Sequence, residues 1–327
     1  MTGSTVANAV GCDGHGDGDG GYEALRRSAA WRVLARDALS VSGPDAATYL
    51  QGQVSQDVEG LAVDGSAESL LLSPQGKVEA LIRVTRTGDE RFVLDTEGGF
   101  GEAVEERLRR FRLRVKVDIE TLDWECVAVR GPEAASAVAG QPTLVLPVAW
   151  PGLAGIDLLG PVADGGIGGW VDGSVRQCSA DAWEAARIEA GIPVMGREIV
   201  EGTIAAEVGV VDRTVSFTKG CFTGQELVAR LDARGSKVAR SLCGVVIGDG
   251  DDGSGAPPVG AAVTTADGEH LVGTLTSVAW SPRQSAIVGL ATLHRRVVPP
   301  ETVTVSWDTN GVDRRVVAET RPLPLIS

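Results

Sequence analysis

Lys219-Gly220-Cys221-Phe222-Thr223-Gly224-Gln225-Glu226 places a thiol between two glycines, with a lysine two residues ahead and an amide and a carboxylate just behind. Two glycines this close let the backbone turn sharply and approach a ligand. The lysine is placed to hold the thiol as thiolate, its nucleophilic form, which makes Cys221 and Lys219 the candidate catalytic pair. The chain has four lysines against 26 arginines, so a lysine here is not surface filler by default. The blander reading is a turn with a buried cysteine.

Further blocks flank this one. Arg187-Ile188-Glu189-Ala190-Gly191-Ile192-Pro193 closes a helical pattern, and Glu207 sits in Ala205-Ala206-Glu207-Val208-Gly209. Upstream stand Tyr49-Leu50-Gln51-Gly52-Gln53-Val54-Ser55-Gln56-Asp57-Val58 and Ser73-Pro74-Gln75-Gly76-Lys77-Val78-Glu79-Ala80. Downstream come Val228-Ala229-Arg230 and Arg240.

The cysteine block resembles the signature of the YgfZ family, folate-binding proteins related to the aminomethyltransferase (T-protein) of the glycine cleavage system. The Arg-x-Glu-x-Gly-x-Pro block is similar to one that both groups carry. The resemblance runs from about Arg36 to about Leu293. It implies an α+β fold, with two related α+β domains and a small C-terminal β-barrel around a central opening that holds tetrahydrofolate. It also implies a cytoplasmic role in maintaining iron–sulfur enzymes, including those that modify transfer RNA.

The resemblance implies folate contacts at Glu189, Arg187, Glu207, Asp57, Gln225 and Arg230. A pterin edge presents an amino group beside a ring N–H, and a carboxylate accepts both at once; Glu189 is the candidate. Arg187, two positions away, falls on a different helix face and either orients the site or holds a carboxylate elsewhere. Asp57 either lines the cleft or only hydrogen-bonds the next turn. Arg230 and Arg240 either meet the glutamate tail of a folate or are surface residues. In T-proteins two aspartates usually occupy the place of Glu79-Ala80, and one is needed for aminomethyl transfer. This departure speaks against a working aminomethyltransferase. That activity, a demethylase, and a non-catalytic folate-sensing module that docks on iron–sulfur enzymes are the alternatives.

Composition sets bounds. A 327-residue chain with 43% hydrophobic residues is long enough for two or three cores. Its longest apolar runs are too short to span a bilayer, and no basic-then-apolar leader opens it. A net charge of −14 argues against direct nucleic-acid binding through a broad basic face, but leaves room for a local arginine-lined pocket. Five cysteines without paired short spacing make no disulfide framework. Cys126, Cys178, Cys221 and Cys243 also lack the spacing of cluster ligands. No resident metal is expected: Asp13, His15, Asp17, Gly18 and Asp19 imitate the start of a calcium loop, but its twelfth position is Ala24 rather than Glu, and Cys12 with His15 makes no designed site.

Residues 1–24 read as a disordered tail. A repeat follows: Val41-Ser42-Gly43-Pro44-Asp45-Ala46-Ala47 returns as Val129-Arg130-Gly131-Pro132-Glu133-Ala134-Ala135. Each copy ends an apolar strand and opens a helix, with proline at its first position. The pattern predicts α+β domains over 25–125 and 126–240, parts of the second packing with the first. Strands are expected at 69–72, 78–85 and 91–94, and helices at 102–114 and 180–190. From 241 onward five short β-rich runs predict a barrel, with a mobile loop at 248–258.

Overall fold

The two Gly-Pro copies take the same backbone shape. Gly43 and Gly131 have φ of +129° and +127°. A Cβ would fall 2.3 Å from the Lys116 carbonyl oxygen at the first and 2.4 Å from that of Ser28 at the second. Only glycine fits such a place. The computed structural model describes residues 20–161, 167–233, 235, 237–248 and 255–326. Cys12, His15, most of the expected tail and much of the expected loop at 248–258 lie outside these.

The copies end equivalent strands, β2 (Arg36–Ser42) and β7 (Glu125–Arg130). One sheet runs β3-β4-β5-β2-β6, with β3 at Ser66–Leu72, β4 at Val78–Gly88, β5 at Arg91–Glu97 and β6 at Asp118–Leu122. The other runs β10-β1-β7-β9-β8, with β1 at Ala30–Leu34, β8 at Leu144–Trp150, β9 at Leu153–Gly160 and β10 at Arg176–Gln177. The order β4-β5-β2-β6 in the first therefore matches β8-β9-β7-β1 in the second. The strands before each copy are exchanged: β1 precedes β2 along the chain but pairs with β7, while β6 precedes β7 but pairs with β2.

This exchange corrects the boundary expected at residue 126, because β1 belongs to the second sheet. So does α1 (Tyr22–Arg27), whose Tyr22 and Leu25 are buried against α4 (Ala180–Ala190) and β1. Residues 22–24 are thus helix rather than the end of a tail. The first copy opens α2 (Ala46–Gln53), which buries Tyr49 and Leu50. The second opens only a 3₁₀ turn, Ala134–Ala137; its residues are small, and Gly140 and Pro142 stop it. Helix α3 (Gly101–Phe111) buries Val104 and Leu108 on the first sheet.

Helix α4 keeps its expected bounds. Ser179 Oγ accepts the Ala182 N–H, and Gly191 closes the helix at φ +71°. Beyond it the chain crosses to the first sheet. Ile199, Ala205, Val208, Val210, Val215 and Val228 pack on Leu70, Leu72 and Val78, carrying α5 (Val211–Thr214) and α6 (Gln225–Ala233). The C-terminal strands close a six-stranded barrel in the order β11-β14-β13-β12-β15-β16. These are β11 (Arg240–Ile247), β12 (Ala262–Thr265), β13 (Leu271–Ser281), β14 (Ala286–His294), β15 (Glu301–Thr309) and β16 (Val312–Arg321). The sixth strand was not expected. It turns small or polar Ala318 and Thr320 inward and leaves Val317 exposed, so its pattern lacks an apolar inner stripe. No helix among the described residues is long and apolar enough to cross a membrane.

Candidate functional site

The two sheets, α4 and the segment after it line a partly open cavity of about 190 Å³. Five arginines line it: Arg36, Arg83, Arg130, Arg187 and Arg213. The acids are Glu68, Glu97 and Asp157, and the aromatic wall is Trp150 and Trp183. Arg83 joins the sheets. Its Nε and Nη2 grip Asp95 at 2.9 Å each, and its Nη1 donates to Asp157 at 2.8 Å. Arg130 Nη1 meets the other Asp157 oxygen at 2.8 Å, and Arg36 pairs with Asp95. Burial alone would raise the Asp157 pKa; Arg130, Arg83 and Arg36 hold it down at about 2.

Glu97, at the end of β5, accepts the Met195 N–H through one oxygen and makes no ion pair among the described residues. Burial raises its pKa, against the Met195 hydrogen bond and the charges of Arg36 and Arg187. It is a carboxyl group with hydrogen-bonding capacity to spare in an arginine-rich cavity. Perturbed groups in a cleft mark functional sites.

Of the eight candidate residues, only Arg187 lines the cavity. It grips Glu184 through Nε (3.0 Å) and Nη2 (2.6 Å) and also bonds Glu198 and Ser277 of the barrel. Burial would lower its pKa, but Glu184 and Glu198 raise it.

Glu189 points the other way, and its expected role as pterin acceptor does not fit. The Tyr22 hydroxyl donates to its carboxylate at 2.6–2.7 Å, and Arg26 and Ser281 complete its shell. The residue is fully buried. Burial and the Glu189 hydrogen bond push the Tyr22 phenol well above its ordinary range, so it stays a donor. The Arg-x-Glu pair is therefore a clasp: both side chains reach β13, at Ser277 and Ser281.

The cysteine loop lies elsewhere. Lys219 Nζ donates to the carbonyls of Gln51 (2.6 Å), Val54 (2.7 Å) and Gln56 (2.9 Å). All three of its hydrogens are used on the C-terminal end of α2, which leaves none for the thiolate role. Burial lowers its pKa to about 8, opposed by Asp57 and Glu59. Cys221 is exposed, whereas Cys126, Cys178 and Cys243 are buried and free.

Only one of the two glycines is demanded by the turn. Gly224 has φ +81°, and a Cβ there would lie 2.5 Å from Ser73 O. Gly220 faces open space. The loop thus rests on the Ser73–Gly76 turn between β3 and β4. Arg83 is five residues along β4 from that turn's end at Val78, on the order of 16 Å at ~3.3 Å per residue.

The other candidates serve local structure. Asp57 accepts from Gln51 and from the Gly60 N–H, as a turn residue does. Glu207 accepts the Ile204 N–H and caps its own turn. Gln225 accepts the Phe222 N–H and shapes the cysteine loop. Arg230 is exposed on α6. Glu79 pairs with Arg107 at 2.9 Å and Ala80 is in the core, so the pair that replaces two aspartates sends no carboxylate into the cavity. Among the described residues no group of three or more metal-ligating side chains gathers.

The sequence reading missed Glu97, Arg36, Trp150 and Trp183. In the sequence Arg130 stands only as the charge that takes the place of Ser42 at the end of an apolar strand.

Residues 26–143 match the family described as the GCVT N-terminal domain. The aminomethyltransferase T of Bartonella henselae superposes with a TM-score of 0.78 at 20% identity, covering 93% of this chain and 88% of that one. The fold is therefore that of the aminomethyltransferase class. An aminomethyltransferase of Corynebacterium jeikeium is 24% identical over 84% of this chain and 81% of its own. A protein of Klebsiella pneumoniae described as tRNA-modifying protein YgfZ is 30% identical over 60% of this chain and 65% of its own. An uncharacterised Haemophilus influenzae protein is 29% identical over 61% and 66%. The matched stretch spans just under two thirds of these last two. The chain is thus similar to the YgfZ proteins over part of its length and to the aminomethyltransferases over most of it.

Proposed function

We propose that the protein binds a reduced folate in the central cavity and supports tRNA modification through iron–sulfur enzymes, with Cys221 acting at a separate surface. The observation that carries the reading is the cavity itself: a carboxyl without an ion-pair partner, arginines and two indole rings around one cleft. Glu97 takes the place expected of Glu189, accepting the amino and ring N–H of a pterin edge. Arg187, already fixed by Glu184, holds the wall behind it. At about 190 Å³ the space is below the ~300–1,000 Å³ common for ligand pockets, which suits part of a folate rather than the whole molecule. A reduced folate supplies one-carbon carriage when bound.

The names of the relatives support the tRNA part. The iron–sulfur part rests on the resemblance of the cysteine block and on the exposure of Cys221, the one exposed thiol among the described residues. An aminomethyltransferase is the weaker reading, because Glu79 is tied to Arg107 and Ala80 is buried. Titration calorimetry with tetrahydrofolate tests the binding half: one saturable site is expected, and no heat would end the reading. For the other half, Cys221→Ser should bind folate normally yet lower the output of iron–sulfur-dependent tRNA modification in cells. Full complementation would favour the docking module without thiol chemistry.

A further inference from the structure

We propose that the cavity floor is an anion subsite, where Arg130 and Arg36 take a planar carboxylate through Nε–H groups that have no acceptor in the protein. This goes beyond the folate reading and stands without it. Arg130 is only 1% exposed and is among the largest fully buried side chains. Its guanidinium lies 4.8 Å from the Trp150 ring centroid and 5.1 Å from that of Trp183. Nη1 is spent on Ile156 O and Asp157, while Nε is buried without a partner. Arg36 Nε, across the same network, is also buried and unmet.

A buried donor left unmet is costly, and more so on a charged group. The charges point the same way. Arg36, Arg83 and Arg130 share two carboxylates in ion pairs, Asp95 and Asp157, so three guanidinium groups are served by two partners. Glu97, the Cα partner of Arg36 across β2 and β5, is tied to Met195 instead. The other nearby acids are committed: Glu184 and Glu198 to Arg187, and Glu68 to Arg213. The Nε side of a guanidinium is a fork that fits a planar oxyanion. Arg130 is the residue that the second Gly-Pro copy has where the first has Ser42. At this position of the motif only the second copy carries a charge.

The carboxylate has two possible sources, the glutamate tail of a folate or a free small acid. Formate is the probe for the shared chemistry, read by the emission of Trp150 and Trp183 against chloride at equal ionic strength. We expect a saturable change in the wild-type protein, with the midpoint raised about tenfold in Arg130→Lys, which keeps the charge but loses the fork. If the tail is the source, formate competes with tetrahydrofolate but not with a tail-less tetrahydropterin. If the source is a free acid, formate and tetrahydrofolate bind together. Arg36→Lys, read the same way, covers a failure of Arg130→Lys to fold. The proposal is overturned if neither substitution moves the formate midpoint or the preference for tetrahydrofolate over the tail-less pterin. The formate arm needs no folate, so failure of the folate reading is seen separately.

Discussion

The two Gly-Pro copies share a glycine in the same strained shape but serve different ends of the molecule. The first opens α2, whose carbonyls hold Lys219 and so the cysteine loop. The second opens only a short turn, and its preceding residue, Arg130, forms the cavity floor. One duplicated scaffold therefore supports a thiol surface at the first copy, while the second copy adds Arg130 to a charged pocket that both sheets line. The lesson is that neighbouring motifs in sequence need not form one site. Arg187 and Glu189 are two residues apart, yet one faces the cavity and the other clasps α1 to the barrel.

The largest effect should come from that clasp. Glu189→Gln leaves Arg26 without its buried partner and should cost about 3–5 kcal/mol, measured by urea unfolding. Next come the glycines. Gly43→Ala and Gly131→Ala each meet a carbonyl oxygen, and each should cost roughly 2–4 kcal/mol. A large difference between them would break the equivalence of the copies.

Lys219→Met should cost less, about 1–3 kcal/mol, and should raise proteolysis within 216–224 while sparing the cavity. If alkylation of Cys221 slows greatly in this variant, Lys219 has a chemical role after all.

The smallest effect concerns pH. The Glu97 pKa is raised in the folded protein, so its contribution is fully present below its unfolded value near 4.5 and is lost as pH rises through the folded value. Glu97→Gln should match the wild-type stability in acid and exceed it at neutral pH. Equal stability at both would mean that Glu97 is not strained by burial.

Local structure was legible in the sequence, and long-range partners were not. Helix α4 could be read to the residue from Ser179 and Gly191, because caps are local chemistry. The repeat was legible because it is short and self-similar. The partners of Glu189 were not, since Tyr22 and Arg26 lie 167 and 163 residues away. The Lys219 role was hidden for the same reason: its acceptors are carbonyls, which carry no residue identity. The exchange of β1 and β6 escaped notice because strand partners are not written in a strand's own pattern. Glu97 was missed because nothing in Asp95-Thr96-Glu97 separates a cavity acid from an exposed one.

The most direct test is titration calorimetry of tetrahydrofolate on Glu97→Gln and Glu189→Gln side by side, under conditions where both are folded. A cavity site lined by Glu97 predicts about tenfold or weaker binding for the first, ~1.4 kcal/mol or more, and an unchanged dissociation constant for the second. The reverse order would place the ligand at the Arg-x-Glu helix end and contradict the account.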